Sequence, residues 1–378
     1  MAEDQALPLH RAIAETGSPT EVHVRPMDEE ERGEVRAVAR RAFPPIAWLF
    51  FSWKKDALVA EYDGRIIGGI VLDTFPLPGG RKAGFINWIF TEPEARGLGA
   101  GQRLTEAALE LFAERGCDEV AACVEGYNSS SSKLFATRGF DILSPGEQLR
   151  RYGMATPLVW WRMFHLTDIG HFVWARPGAE GKPRPALQWA ATAVVSMAIM
   201  ALSQWRQSSF GSLDMSWLAA SMAAVLAVYG LRHAGMLLAA RAQGIRTEYR
   251  MWESAMTLSL GLALVFGAWY PVPGSLYPEG HRWRYREILP RWTAVALAGV
   301  LPVLLVAWAA WGALRWVDVS PAVEPWVASL RGVAVFAAFF DAVTAFFPFT
   351  SYNGRRLWDR SRLLWLAVAV PAAALMFV

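Results

Sequence analysis

Beyond about Arg184 the chain is built from long apolar runs with few charges, and this limits what the second half can become. In hydrocarbon no water satisfies backbone N–H and C=O groups, so such runs must form helices that pair their own backbone. Five runs have a length suited to crossing a bilayer: residues 187–203, 217–240, 292–314, 326–347 and 363–378. The first and last are near the lower limit, since a span needs roughly 17–25 apolar residues. A sixth run, 255–270, carries no charge and is followed by "PVPG". It can either cross or enter and leave on one side. Many of the 19 Trp sit at the ends of these runs, as in "VWWRMF", "QWRQ", "HRWRYRE" and "RLWDR". The indole, apolar with one N–H, favours the membrane–water interface.

The first half reads differently. "EVHVRPM" alternates like a strand, and "DEEERGEVRAVARRAF" follows as a helix with acids in its first turn. "ALVAEYDGRIIGGIVLDTF" predicts two strands around a tight Asp63-Gly64 turn. "KAGFINWIF" is a further strand and runs through Thr91-Glu92-Pro93-Glu94 into "ARGLGAGQRL". "LTEAALELFAERG" is a helix ending at Gly116, "EVAACVE" a strand, "NSSSSKLFATRG" a short helix and "FDIL" a last strand. Glycines before a helix let backbone N–H groups converge into a nest, and the positive helix end adds to it. "EPEARGLGAGQRL" is therefore a candidate phosphate cradle. The net charge of +3 comes with no basic stripe, so nucleic acid is not expected as a partner. Only Cys117 and Cys123 occur, without zinc-ligand spacing, which excludes a disulfide framework and suits a reducing compartment. The start of the chain, residues 1–20, is polar, lacks the apolar core of a signal peptide and reads as a loose tail.

This order of elements over residues 21–153 resembles the GNAT acyl-CoA N-acyltransferase family. Arg96-Gly97-Leu98-Gly99-Ala100-Gly101 matches the family's R/Q-x-x-G-x-G/A, and Asn128 followed by "KLFATRGF" matches its later Asn…Gly-Phe stretch. The resemblance implies that the pyrophosphate of acetyl-CoA, or of a longer acyl-CoA, sits in the nest. It implies that the strand edge at Ile89, Phe90 and Thr91 pairs with the pantetheine amides, and that Asn128 belongs to the same site. Acyl transfer to an amine needs a proton acceptor and an acid for the leaving thiolate. Where many members carry a Tyr in the short helix, this chain has Phe135, which cannot donate. The strand 85–90, where some members carry a Glu, holds no carboxylate. Glu125 and Tyr127, at the end of the next strand, are the nearest substitutes; the alternative is a solvated acid and a packing aromatic, with transfer by orientation and water as the proton carrier.

"PLVWWRMFHLTDIGHFVWARPGAEGKPRPALQW" joins the halves. Residues 160–174 are aromatic and suited to lying in the interface plane. His165, Asp168 and His171, three apart, would share a helical face, as a metal site or as ordinary interfacial histidines; no metal is expected. "RPGAEGKPRP" is a breaker-rich linker.

Because CoA is cytosolic, residues before 187 are placed inside. If run 255–270 crosses, Arg282, Arg284, Arg286, Arg291, Arg355, Arg356, Arg360 and Arg362 fall outside. If it re-enters, all eight fall inside with Arg241, Arg246 and Arg250, and only Arg206 and Arg315 lie near outer ends. The positive-inside rule selects the second layout, with the C-terminus outside. From about Trp217 that layout resembles the site-2 protease metalloprotease fold, through "LRHAGMLLAARAQGIRTEYRMW", "YPVPGSLY", "ALAGVLP" and "FFPFTSYNGRRLW". In the register set by Gly244, the family's HExxH positions are Arg232, His233 and Met236, and its last Asp is Asn353. Arginine stays protonated and cannot ligate zinc, so proteolysis by that route is not expected.

The expected architecture is an α/β GNAT fold, a mixed sheet with flanking helices, followed by a polytopic α-helical membrane domain with about five spans and one re-entrant segment. The expected divisions are a polar tail 1–20, a transferase-like domain 21–153, an interfacial linker 154–186 and a site-2-protease-like transmembrane domain 187–378. The expected function is a membrane-anchored acyl-CoA-dependent N-acyltransferase, acting on an amine of a lipid or membrane protein from the cytoplasmic side of a prokaryotic plasma membrane. The alternative is a CoA-binding regulatory protein on an inactive protease-like scaffold.

Overall fold

The computed structural model describes residues 21–378 except 55, 167, 182 and the side chain of 49. The polar tail 1–20 lies outside the described residues. Two compact units emerge. The first comprises the described residues up to Cys123, with Leu134–Met163 and Val173–Glu180; the second comprises Val124–Lys133, Phe164–Phe172 and Gly181–Val378.

The first unit is organised by a seven-stranded sheet. Its strands are β1 (His23–Pro26), β2 (Asp56–Tyr62), β3 (Arg65–Pro76), β4 (Lys82–Thr91), β5 (Glu119–Glu125), β6 (Asp141–Ile142) and β7 (His171–Arg176), in the order β1-β2-β3-β4-β5-β7-β6. β1 to β4 pair antiparallel, β4 and β5 parallel, β6 and β7 antiparallel. β2 and β3 meet at Asp63 (φ 51°) and Gly64 (φ 69°), the two positive angles that a two-residue hairpin of the right twist requires. Helix α1 (Arg32–Ala42) buries Val35, Val38 and Ala39, one stripe at helical spacing, against Val59, Ile66, Val71 and Phe90 of the sheet. Helix α2 (Ala100–Glu114) buries Leu104, Ala108 and Phe112 at the same spacing. Short helices α3 (Ser129–Ala136), α4 (Pro145–Tyr152) and α5 (Thr156–Arg162) complete the order up to β7.

β7 corrects the expected linker 154–186 and the expected last strand. "FDIL" supplies only the edge strand β6, and β7 lies between it and β5. The segment read as interfacial contains "FVWA", whose four side chains are at most 2% exposed. β-branched and aromatic residues buried on both faces make a central strand rather than an amphipathic helix. His171 starts that strand, so His165, Asp168 and His171 share no helical face.

The second unit is helical. Four helices are long and apolar enough to cross a membrane: α6 (Pro185–Gln207), α7 (Met215–Ala242), α9 (Tyr285–Trp316) and α10 (Glu324–Val343). The expected fifth run forms α12 (Arg362–Ala374), with 13 residues. At 1.5 Å per residue that is about 20 Å, short of the roughly 30 Å hydrocarbon core. The sixth run forms α8 (Glu253–Phe266), of 14 residues. Strand β8 (Thr247–Arg250) precedes α8 and pairs antiparallel with β9 (Ser275–Pro278) beyond it, Arg250 opposite Ser275. The chain therefore leaves and returns to one place around a short helix. Helix α11 (Asn353–Arg360) precedes α12.

The core of this unit lies among α7, α9 and α10, with Ala224, Val228, Ala296, Val300, Ala334 and Ala338 buried. Small residues let such helices approach closely. The tightest point is Gly235, where a Cβ would lie 2.0 Å from the Ala298 carbonyl oxygen. A backbone atom cannot rotate away, so Gly235→Ala must push α7 from α9. The expected cost is about 1–3 kcal/mol, read as a lowered unfolding midpoint of the full chain in detergent.

Candidate functional site

The parallel ladder of β4 and β5 runs from Ala83 opposite Glu119 to Ile86 opposite Ala122, and stops there. β4 itself continues to Thr91, paired on its other edge with β3. Between Ile86 (opposite Leu72) and Trp88 (opposite Val71), Asn87 is an extra residue, a β-bulge. Bulges re-aim a strand and end its pairing, and they concentrate beside active sites. From Asn87 to Thr91 one edge of β4 thus carries backbone groups with no strand partner among the described residues. Ile89, Phe90 and Thr91 fall on this edge. Asn87 Nδ2 donates to Ser52 Oγ at 3.3 Å.

The edge leads directly to the glycine turn. Glu92, buried, is held by Arg41 Nε at 2.7 Å and donates its backbone N–H to Ile67 O at 2.8 Å. Arg96 is exposed. Gly97 has φ 96° and Gly99 φ 84°, and a Cβ at either would meet nothing within 4 Å. Glycine is needed there for the backbone angle, and the space in front is open. Gln102 and Arg103 donate to Gly99 O at 2.9 and 3.0 Å, so the helical ladder begins at that carbonyl. The N–H groups of Gly99, Ala100 and Gly101 precede it, and such groups have no intrahelical partner. With Leu98 between the two glycines, Arg96 to Gly101 form an open nest at the start of α2.

Glu125, Tyr127 and Asn128 belong to residues Val124–Lys133, which cluster with the second unit. Tyr127 is 5% exposed. Its hydroxyl donates to Leu276 O at 2.9 Å and accepts from Trp292 Nε1 at 3.2 Å. Its ring packs on Tyr277 at 4.7 Å and lies under the Arg356 guanidinium at 3.4 Å. Burial pushes the Tyr277 phenol well above its ordinary pKa. Glu125 accepts from Ser351 Oγ at 2.8 Å and from Tyr127 N at 2.9 Å, with Arg356 Nη2 3.8 Å away. Asn128 Oδ1 accepts from Ser131 N at 3.1 Å, as the cap of α3. In the first unit, Phe135 is buried against Phe140.

The second unit holds another buried polar group. Arg232 on α7 forms a bidentate pair with Asp341 on α10, at 2.8 and 2.9 Å, and donates to Gly274 O at 3.0 Å. Asn353 donates to the same carboxylate from Nδ2 (2.8 Å) and from its backbone (3.1 Å). Asn353 Nδ2 also lies 3.7 Å from Met236 Sδ. So Arg232, Met236 and Asn353 come together, whereas His233 sits against Trp189 and Tyr249. Sequence reasoning missed Asp341 and the contacts of Arg356. For Asp341 a signal existed: an acid within a 20-residue apolar helix marks a partnered site. For Arg356 none did, because its partners Glu125 and Tyr127 lie in the other half of the chain. His165, also buried, places Nε2 3.4 Å from Glu253 Oε1. Asp341→Ala would leave Arg232 buried without its counter-ion, which costs about 3–5 kcal/mol. The full chain in detergent is expected to unfold at a much lower midpoint. Replacing both partners by apolar side chains of similar size, Arg232→Met with Asp341→Leu, is expected to recover most of the loss.

Residues 24–140 match the Acetyltransferase (GNAT) family. An uncharacterized N-acetyltransferase of Archaeoglobus fulgidus is 34% identical over 93 residues, 24% of this chain and 63% of that protein. The mycothiol acetyltransferase of Saccharomonospora viridis is 30% identical over 95 residues, 24% of this chain and 31% of that protein. The chain thus spans less than two thirds of the length of these curated relatives. Among solved structures, a GNAT-family acetyltransferase from Brucella melitensis in complex with acetyl-CoA is 21% identical, covering 32% of this chain and 83% of its own, with a TM-score of 0.27. Arabidopsis thaliana Naa50 with a bisubstrate analogue is 14% identical, covering 41% and 98%, with a TM-score of 0.30. Over residues 24–140, the chain carries an acetyltransferase domain of the GNAT family.

Proposed function

We propose that this chain is an acetyl-CoA-dependent N-acetyltransferase held at a membrane by its second unit. The observation that carries the reading is the free β4 edge, Asn87 to Thr91, running into the nest of Arg96 to Gly101. Ile89, Phe90 and Thr91 would offer backbone groups to the pantetheine amides. The N–H groups at Gly97, Gly99, Ala100 and Gly101 would hold the pyrophosphate, with the exposed Arg96 guanidinium able to join them. Acetyl-CoA supplies a thioester: as an amine nitrogen bonds to its carbonyl carbon, the C–S bond breaks and the thiolate takes up the proton that the amine gives off. A longer acyl-CoA would use the same contacts.

The proton carrier in this reading is water. The Tyr127 hydroxyl commits its proton to Leu276 O, and both Glu125 oxygens accept hydrogen bonds. These two residues serve as anchors of a turn, and orientation of the amine against the thioester supplies the rate. Asn128, as the cap of α3, fixes where that helix starts.

The acceptor would be an amine at the bilayer surface, on a lipid or a membrane protein. Four helices of membrane length support this placement. The β8–β9 pairing around α8 supports a re-entrant segment and, through the positive-inside rule, a cytoplasmic transferase in a prokaryotic plasma membrane. Arg250 and Arg356, however, are buried and engaged, so the charge bias rests on the remaining arginines. A second reading, a CoA-binding regulator on an inactive site-2-protease-like scaffold, is favoured by one observation: Arg232, Met236 and Asn353 converge where the resemblance puts metal ligands. Native mass spectrometry combined with acetyl-CoA turnover separates the two, since bound CoA without turnover supports the regulator.

Gly99→Glu would put a strained, negative side chain into the nest. Calorimetry with CoA is expected to show affinity reduced at least about a hundredfold, some 2.7 kcal/mol, and unchanged affinity would reject the cradle. Tyr127→Phe is expected to lower acetyl-CoA turnover less than about tenfold, whereas loss of a general acid costs about 10²–10⁴.

A further inference from the structure

The turn Glu125-Gly126-Tyr127-Asn128 follows β5 directly and lies within the acetyltransferase match, yet its contacts belong to the helical unit. Gly126 and Tyr127 are buried and Glu125 is half-buried, while Asn128 is exposed. Gly126 N–H donates to Gly170 O at 3.0 Å, and Tyr285 N–H donates to Ser129 Oγ at 3.1 Å. Leu276 and Trp292 hold the Tyr127 hydroxyl. Arg356 covers the Tyr127 ring at 3.4 Å while Ser351 holds Glu125 at 2.8 Å.

Arg356 is itself fixed. It is 1% exposed and donates through Nη1 to Tyr352 O at 2.7 Å and to Thr350 O. Its planar guanidinium face stacks on an aromatic ring better than an ammonium does. It stands on α11, three residues beyond Asn353. Asn353 is bound to Asp341, and Asp341 to Arg232. One eight-residue helix thus carries at its start the buried ion pair of α7 and α10, and one turn later the cover of Tyr127.

We propose that Arg356 is the positioning residue of the Glu125–Asn128 turn, and that α11 ties this turn to the Arg232–Asp341 pair. The proposal rests on the acetyltransferase reading for its consequence, since the turn joins β5 to α3 within the acetyltransferase match. Arg356 touches no reacting atom. It acts by holding Tyr127 and Glu125, and a change in the ion pair reaches the turn through Asn353.

The test uses the full chain in detergent micelles, as wild type, Arg356→Ala, Arg356→Lys, Ser351→Ala and Asp341→Asn. Hydrogen exchange over residues 124–133 reads the hold. Arg356→Ala is expected to speed exchange there at least about tenfold, Arg356→Lys less, and Asp341→Asn to speed it as well, while residues 97–105 stay unchanged. Ser351→Ala removes one hydrogen bond to Glu125 and is expected to speed exchange a few fold, and it decides the matter if Arg356→Ala does not fold. Thiol release from acetyl-CoA with dodecylamine as the acceptor probe reads the consequence. Arg356→Ala should lower kcat about tenfold with KM for acetyl-CoA unchanged, and Arg356→Lys should restore most of it. Unchanged exchange in Arg356→Ala and Ser351→Ala, or an unchanged kcat with a loosened turn, would overturn the proposal. Wild type that releases no thiol would sink the acetyltransferase reading instead, and the exchange data would still decide whether Arg356 holds the turn.

Discussion

A parallel pair of strands that stops pairing halfway leaves one backbone edge in need of partners, and the first unit is arranged around that edge. β4 and β5 hold together only to Ile86 and Ala122. The bulge at Asn87 makes the break local, because one extra residue shifts the strand against β3 without disturbing the ladder on either side. Unpaired backbone groups are costly when buried and a template when open. Here the open edge is followed at once by a turn whose two positive-φ glycines present more N–H groups. The two features follow one another along the chain, with the internally bonded turn from Glu92 to Arg96 between them, and together suit an extended ligand that carries amides at one end and phosphates at the other.

The helical unit depends on a different balance. Its helices pack through Ala, Val and Gly, which bring backbones close but supply little that is directional. Direction comes from a few buried polar groups. The Arg232–Asp341 pair joins α7 to α10, and Asn353 adds α11 to the same carboxylate. A buried pair of this kind adds little net stability but penalises any arrangement that separates its members. It therefore selects one packing among many that small apolar residues would allow.

Local chemistry made much of the first unit readable in advance. Asp63-Gly64 announced a hairpin, helical spacing announced α2, and the glycines announced the nest, because each depends on residues within a few positions of one another. β7 was not readable in the same way. "HFVWAR" has the composition of a strand and equally of an interfacial aromatic stretch, and only its place between β5 and β6 distinguishes them. The shorter apolar runs were ambiguous for a similar reason. Run 363–378 is apolar enough to cross, yet the regular helix covers 13 residues.

Sequence by itself determined the division into a charged α/β part and an apolar helical part, the nest from Arg96 to Gly101 and the strand edge leading into it. These follow from backbone angles and from periodicity, which are properties of neighbours along the chain. The tertiary structure decided what Glu125 and Tyr127 touch. As residues at a strand end, they had the chemistry of a base and an acid. Their surroundings, Leu276, Trp292, Ser351 and Arg356, belong to the distant helical part of the chain and engage the hydroxyl, the carboxylate and the ring. A side chain's role depends on which of its atoms remain free, and that is set by packing between segments that the sequence leaves far apart.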